Sequence, residues 1–199
     1  MQDNTVSFTA LRDLLRADRT CRRFDEGREI GPDTLRSLVE LCRFTASGRN
    51  AQPLRYRLVW DAGIRGRLFT SLAWAGYFKD WDGPAPGERP AAYMVQLLDT
   101  SFGANCLCDD GLQLQAITLG ATALGIANCI IKSFNRAAVK ETLALPDYLE
   151  PRYVLALGYP AETVVIEDMD GTREADFKYY RTADGVHHVP KRPLDELIV

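Results

Sequence analysis

The stretch DDGLQLQAITLGATALGIANCII, residues 109–131, predicts a long helix that runs directly into a buried strand. Asp109 and Asp110 place negative charge at the positive end of the helix dipole, and Gly125 supplies a stop signal. Apolar residues lie nearly all round this helix, so other parts of the protein must cover most of its faces. We therefore expect it to be the central rod of the domain.

The surroundings of this helix are constrained by its small and its polar residues. Small side chains would let neighbouring backbones approach closely, and a second subunit could supply part of the cover; they are Ala116, Gly120, Ala121 and Ala123. Residues 112–131 are also about long enough to cross a bilayer. Polar residues interrupt that run without a basic flank or an aromatic belt, which argues against a membrane span: Gln113, Gln115, Thr118, Thr122 and Asn128.

Composition limits the classes of protein to which the chain can belong. Its 199 residues, 46% of them hydrophobic, predict a single domain over residues 1–199 with an ample core. A net charge of −3, from 24 basic and 27 acidic side chains, offers nucleic acid no large positive field. The 5 cysteines form no CxxC pair, and their odd number does not suit a disulfide framework. With no apolar signal segment at the N-terminus, we expect a cytoplasmic protein.

A basic segment, RTCRRF at residues 19–24, follows a short helix that ends near Asp18. Three arginines beside the hydroxyl of Thr20 could hold a phosphate through bidentate, charge-assisted hydrogen bonds. The same composition also suits a solvated basic loop, and charge alone favours that interpretation. The segment by itself therefore leaves both interpretations open.

A second polar stretch, ASGRNAQP at residues 46–53, lies between a predicted helix that begins near Pro32 and a predicted strand at residues 54–60. Its small and amide side chains suit a loop that meets a polar ligand. They equally suit an ordinary turn before a strand. We call this stretch the amide loop.

The basic segment, the amide loop, residues 125–135 and a Pro-Lys-Arg at residues 190–192 together resemble the FMN-dependent nitroreductase family, in the order that the family shows. The resemblance implies an α+β fold, a three-layer α/β/α sandwich. In it a mixed or antiparallel central sheet surrounds a long buried helix, and the C-terminus is exchanged between subunits. It also implies a homodimer whose active sites contain residues of both chains.

The resemblance assigns cofactor-binding roles residue by residue. Arg19 and Thr20 would hold the FMN phosphate, and Arg22 would reach the pyrimidine side of the flavin, where a cation stabilises the charge of the reduced ring. The amide loop of the partner subunit would contact the ring through Ser47, Asn50 and Gln52. Residues that follow the long helix would pass the edge of the ring, with a backbone N–H of Lys132 or Ser133 donating to N5; they are Ile131, Lys132 and Ser133.

The C-terminal tail, HHVPKRPLDELIV, is similar to the family's C-terminus. There Lys191 and Arg192 would add positive charge at the FMN phosphate, and the last residues would pair with the sheet of the other subunit. His187 and His188 have no third ligand at metal-binding spacing, so we predict no metal site.

Four aromatic residues occur at helical spacing in the part of the chain where the resemblance is poorest, namely Trp74, Tyr77, Phe78 and Trp81. The spacing predicts a helix that the Pro-rich residues 82–87 end. Such a stripe is typical of a core. The corresponding region of the family covers the open face of the flavin, so we expect one or two of these rings to line the substrate pocket.

The expected function is an FMN-dependent oxidoreductase that transfers hydride from NAD(P)H to an electron-poor acceptor, of nitroaromatic or quinone type, by a ping-pong mechanism. No side chain need act as acid or base, so we name no catalytic residue. Two alternatives remain: an FMN-binding carrier or sensor without turnover, and a reductive dehalogenase or flavin-modifying relative. No fingerprint of another common class occurs in the sequence: GxGxxG after a strand, a Walker loop, HExxH and GxSxG are all absent.

Overall fold

The computed structural model describes residues 6–169, residue 171 and residues 174–199. Its α-helices are α1 (Phe8–Ala17), α2 (Pro32–Glu40), α3 (Ala62–Phe69), α4 (Asp109–Ala123) and α5 (Arg136–Thr142). Its strands are β1 (Phe24–Asp25), β2 (Leu54–Val59), β3 (Ala92–Asp99), β4 (Ala127–Ile131), β5 (Leu149–Pro160), β6 (Val164–Asp168), β7 (Tyr180–Arg181) and β8 (His187–Lys191). Short 3₁₀ turns occur at Leu41–Phe44, Gly48–Asn50, Glu174–Phe177 and Leu194–Glu196.

The central sheet has five strands, all paired antiparallel. Its order is β1-β5-β3-β2, and β4 pairs with β5 as well. All eight residues of β3 are buried, because helices cover both faces of the sheet at this strand. The apolar run at residues 91–98 is typical of a strand that is covered on both faces.

The helices form two layers, one on each face of the central sheet. On one face, Leu35 of α2 and Ile117 of α4 pack in one cluster with Met94 of β3. On the other face, Leu68 of α3 and Val139 of α5 pack in a second cluster with further sheet residues. The three-layer α/β/α sandwich predicted from the resemblance is therefore confirmed.

The remaining strands form a smaller, mixed sheet that the sequence patterns did not predict. It has the order β6-β8-β7, with β6 and β8 parallel and β7 and β8 antiparallel. Val164 of β6 pairs with His187 of β8, and Asp168 pairs with Lys191. This sheet matters for the site because His187, at its inner end, is fully buried.

Helix α4 and strand β4 confirm the prediction made from residues 109–131. The helix ends because Gly125 has a φ of 71°, and the N–H of Ile126 then donates to the carbonyl of Ala121 at 2.8 Å. This is the hydrogen bond of a Schellman cap. Only one face of α4 is buried within the chain, since Leu112 remains 43% exposed and Leu124 55% exposed. None of the helices in the described residues is both long and apolar enough to cross a membrane.

The aromatic spacing predicts a helix at residues 74–81, and this prediction is wrong. The segment after α3 pairs instead with the segment after β4, since Ala73 N–H donates to Ser133 O and Asn135 N–H donates to Ser71 O. This pairing extends the chain, and turns follow it up to β3. Trp74 lies in the core against Gly83, whereas Tyr77 is 42% exposed. The aromatic residues have the spacing of a helix, but hydrogen bonds to the segment after β4 determine the backbone conformation.

Candidate functional site

Asp18, the residue before the basic segment, anchors that segment to α4 and β4. Its carboxylate accepts hydrogen bonds from Gln115 Nε2 at 2.7 Å, Thr118 Oγ1 at 2.7 Å and Asn128 Nδ2 at 2.8 Å. Cys21 N–H also donates to the Asn128 carbonyl at 2.8 Å. Two side chains of α4 and one of β4 therefore fix the start of the basic segment. Spacing alone gives no signal for this role, because the partners lie about 100 residues further along the chain.

Arg19 and Thr20 lie at the surface beside the start of β4. Thr20 forms a β-bridge with Asn128, and its side chain is exposed. Arg19 Nη2 donates to the carbonyl of Leu15 at 2.8 Å, while its Nε is buried without a hydrogen-bond partner in the described chain. Arg19 also lines a cavity of about 260 Å³ together with Cys21 and Glu162. The arginine thus has free donor capacity at the edge of a cavity.

Arg22 points into the protein, toward the smaller sheet. It is 9% exposed, its Nη1 lies 3.1 Å from His187 Nε2, and its guanidinium carbon lies 4.5 Å from the ring centre of Tyr179. Glu162 accepts a hydrogen bond from the backbone N–H of Arg22 and another from Arg181 Nη2, at 2.9 Å in the second case. Arg22 is therefore held from three sides within its own chain.

His187 must be neutral in this arrangement. A guanidinium has only donors, so Nε2 of His187 accepts from Arg22 and the ring proton is on Nδ1. Burial, and after it the positive charge of Arg22, lower the pKa of His187 from 6.5 to about 4. Sequence reasoning considered His187 only as a metal ligand and missed this contact with Arg22.

The amide loop is fixed at the opposite end of α4. Asp109 accepts a hydrogen bond from Ser47 Oγ at 2.6 Å and another from the N–H of Gly48 at 2.9 Å. Beyond these contacts, Asn50 and Gln52 are exposed, and Gln52 Nε2 lies 3.0 Å from Asn50 Oδ1. The loop therefore has a fixed base and an exposed tip with amide groups.

The residues after β4 leave the sheet at the end remote from Asn128. Ile131 is buried, while Lys132 and Ser133 are exposed. In the described part of the chain, their N–H groups have no partner outside the ladder of the sheet. Lys132 Nζ lies 5.6 Å from the ring centre of Tyr153. These backbone N–H groups are therefore available to a ligand, whereas the carbonyl of Ser133 already accepts from Ala73.

Lys191 and Arg192 are exposed at the outer end of β8. Lys191 follows His187 by four residues, which is about 13 Å along a strand. Arg192 Nε lies 3.5 Å from Glu196 Oε2. No contact among the described residues joins either cation to Arg19 or Thr20.

One chain thus brings together only part of the predicted site. Thr20 pairs with Asn128 at the start of β4, near the C-terminal end of α4, and residues 132 and 133 follow the opposite end of the same strand. The amide loop is attached to Asp109, at the N-terminal end. Thr122 lies 13 positions after Asp109 in α4, which corresponds to a rise of about 20 Å. The basic segment and the amide loop of the same chain are therefore one helix length apart.

Comparison with known proteins gives a family match and a shared fold. Residues 107–159 match the model of the nitroreductase family. This segment includes α4, β4 and residues 131–133, whereas the basic segment, the amide loop and residues 190–192 lie outside it. No curated protein matches the sequence.

Solved structures match over most of the chain. A nitroreductase family protein from Clostridium difficile is 20% identical, with a TM-score of 0.66 over 98% of this chain and 98% of that one. An FMN-dependent nitroreductase from the same species is 17% identical, with a TM-score of 0.62 over 82% and 92%. The NADPH:FMN oxidoreductase from Vibrio harveyi, complexed with NAD+, is 20% identical, with a TM-score of 0.59 over 75% and 68%. The family match over residues 107–159 and the fold shared along the chain confirm the resemblance to the nitroreductase family that the sequence motifs indicate.

Proposed function

We propose that this protein is an FMN-dependent oxidoreductase that uses NAD(P)H to reduce an electron-poor acceptor, of nitroaromatic or quinone type, with ping-pong kinetics. The observation that carries the proposal is the anchoring of Arg19 and Thr20 beside β4, whose other end leads to the exposed residues Lys132 and Ser133, with no bond from their N–H groups to another part of the described chain. An elongated ligand with a phosphate at one end and a polar ring at the other matches these two features.

The donors at the basic segment suit a phosphate. Arg19 is permanently charged, and its Nε is buried without a partner in the described residues. Thr20 adds an exposed hydroxyl next to it. A buried donor without an acceptor costs free energy, and a phosphate oxygen would remove that cost. Lys191 and Arg192 would supply further positive charge at the phosphate.

The backbone after β4 suits the ring end of the flavin. A backbone N–H at Lys132 or Ser133 would donate to N5, beside Ile131. Bound FMN would supply hydride transfer at that atom, first from NAD(P)H and then to the acceptor. An N–H donor to N5 would polarise the ring, and water would supply the proton that the acceptor takes up with the hydride, so no acid or base is required of this chain. Arg22, which His187 and Tyr179 hold, would supply positive charge on the pyrimidine side.

A second subunit would complete each site with its amide loop. Within one chain, the length of α4 separates that loop from the basic segment. The outward face of α4 also carries an apolar stripe at i, i+4, i+7 and i+11 that is not fully covered within the chain: Leu112, Ala116, Leu119 and Ala123. In α1, Phe8 is 78% exposed and Leu11 43% exposed. Two such apolar faces on one small domain support a homodimer.

Tyr77 is the aromatic residue that we propose for the acceptor pocket. It is exposed, and its ring centre lies 4.9 Å from that of Tyr179, which in turn lies over Arg22. Trp74 is in the core and is not available. The similar Clostridium difficile and Vibrio harveyi proteins, an FMN-dependent nitroreductase and an NADPH:FMN oxidoreductase, support both the cofactor and the class of reaction.

The visible spectrum of the purified protein tests this proposal. We expect the absorption of oxidised flavin, bound directly or after addition of FMN, and bleaching when NADH or NADPH is added anaerobically. Addition of a quinone should restore the absorption. Flavin that stays oxidised with both nucleotides would indicate a carrier or sensor, and a protein that takes up no FMN would overturn the proposal.

A further inference from the structure

We propose that Asp109 is a positioning residue for the amide loop and acts through Ser47, so that Ser47 supports the loop instead of contacting the cofactor. The inference rests on the proposed function, because it concerns how the loop is presented to the flavin of the partner subunit. It gives a specific role to the acidic start of α4, which dipole and packing arguments alone do not explain.

The position of Asp109 is unusual for an acid at the start of a helix. A carboxylate that only balances the helix dipole can remain in water, whereas Asp109 is 1% exposed. The carboxylate is satisfied by Ser47 Oγ at 2.6 Å and Gly48 N–H at 2.9 Å, both of them at the base of the loop. A buried carboxylate requires such donors, so the helix start and the loop base depend on each other.

Ser47 connects Asp109 to the other end of the loop through its hydroxyl group. Its hydroxyl proton is donated to Asp109, and its oxygen accepts the N–H of Gln52 at 2.9 Å. The hydroxyl therefore joins the second and the seventh residues of the loop. Since its only proton is engaged, it cannot also donate to a flavin oxygen.

The backbone of the loop needs this support. Arg49, Asn50 and Gln52 have φ values of 54°, 55° and 49°, in the left-handed region that side chains other than glycine rarely adopt. Such conformations persist only where the surroundings determine them. Gly48 contributes as well, since a Cβ there would lie 2.3 Å from Leu107 Cδ1. The result is a narrow tip that presents the amides of Asn50 and Gln52.

The test compares Asp109→Ala with Asp110→Ala. Both substitutions remove one acid from the first turn of α4, so the loss of dipole stabilisation is matched. Among the described contacts, Asp109 bonds the base of the loop, whereas the carboxylate of Asp110 accepts the N–H of Gly111 and lies 3.7 Å from Arg152. We expect Asp109→Ala to raise the FMN dissociation constant at least tenfold above that of Asp110→Ala. Equal dissociation constants for the two variants would overturn the proposal.

A readout without flavin separates this proposal from the proposed function. Trypsin cleaves after arginine, and Arg49 is at the exposed tip. Cleavage at this residue in the FMN-free protein should be at least tenfold faster in Asp109→Ala than in Asp110→Ala. Ser47→Ala should behave as Asp109→Ala does, without any change in the helix. Faster cleavage in a protein that never binds FMN would leave the positioning of the loop intact and reject only the flavin function.

Mixed dimers test whether Asp109 acts on the partner's site. In the proposed dimer, each site combines Arg19 of one chain with the amide loop of the other. A dimer of one Arg19→Ala chain and one Asp109→Ala chain therefore has both substitutions in one site and none in the other. We expect half of the sites to bind FMN as tightly as in the wild type. Weak binding at both sites would show that Asp109 acts within its own chain or through general stability, and would overturn the proposal.

Discussion

Nη1 of Arg22 donates to Nε2 of His187 across 3.1 Å, which fixes the fully buried imidazole in its neutral form. The other groups that face His187 are Glu162, Arg181 and His188, of which only Glu162 favours the protonated form. The rings of Phe78 and Tyr179 cover the imidazole, with centres at 5.7 and 5.2 Å. Protonation would remove the acceptor for Arg22 and place a third cation among two arginines.

This relationship predicts a loss of stability at mildly acidic pH. The pKa of His187 is about 4 in the folded protein and 6.5 as the ordinary value, so the unfolded chain binds the proton first. The contribution of neutral His187 to the free energy of unfolding is fully present above pH 6.5 and is lost as the pH falls toward 4. The full loss is about 3 kcal/mol of unfolding free energy. Urea unfolding of the wild type between pH 7 and 4 measures it.

His187→Gln is the matched variant, because its side-chain oxygen accepts from Arg22 but does not titrate. The difference in unfolding free energy between the wild type and this variant should shrink or reverse as the pH falls, since other carboxylates titrate equally in both. A difference that stays constant between pH 7 and 4 would mean that His187 is not held neutral.

Arg19→Ala should weaken FMN binding by about 1.5–3 kcal/mol, the range for a hydrogen bond to a charged group. This corresponds to a roughly 10- to 150-fold rise in the dissociation constant, measured by flavin fluorescence titration. Arg16→Ala is the control, because this substitution removes the same charge from an exposed position in the last turn of α1. An unchanged constant for Arg19→Ala would rule out its role at the phosphate.

Leu112→Glu should dissociate the proposed dimer. Leu112 lies on the outward face of α4 and is 43% exposed, so a charge there leaves the core of the chain intact. In a dimer interface the same charge would be buried without a partner, which costs several kcal/mol. Light scattering should report a monomer with weakened FMN binding. The control is Tyr148→Glu, at an exposed turn before β5, and this variant should stay dimeric. A wild-type protein that is monomeric and still binds FMN tightly would contradict the shared site.

Replacing two glycines by alanine should change the stability of the protein in opposite directions. A Cβ on Gly158 would lie 2.7 to 2.8 Å from three atoms of Phe24, which is fully buried, so Gly158→Ala should destabilise the protein by about 1–3 kcal/mol. Gly66, inside α3, has nothing within 4 Å of a Cβ, and Gly66→Ala should stabilise it by roughly 0.5–1 kcal/mol. Thermal unfolding of the two variants checks both signs, and equal shifts would contradict the packing of Phe24.

The elements predicted from sequence are those whose signals are local. Asn135 caps α5 by accepting the N–H of Ala138 at 3.1 Å, and an asparagine directly before a helix is a local signal for such a cap. The dense apolar run of β3 likewise required two covered faces. The aromatic spacing at residues 74–81 failed because Ala73 bonds Ser133 instead of continuing a helix. The smaller sheet was missed because its short strands have neither a sustained apolar pattern nor an alternating one.

The sequence by itself determined α4, its end at Gly125 and the strand that follows, because helix caps, glycine stops and apolar periodicity act within a few residues. It also contained the segments whose resemblance to the nitroreductase family implied the α+β class. Only the tertiary structure decided that Asp18 anchors the basic segment, that Asp109 holds the amide loop and that His187 accepts from Arg22. These contacts join residues 62 to 165 positions apart. They depend on burial and on the need of each buried polar group for a partner, and no local pattern encodes that pairing.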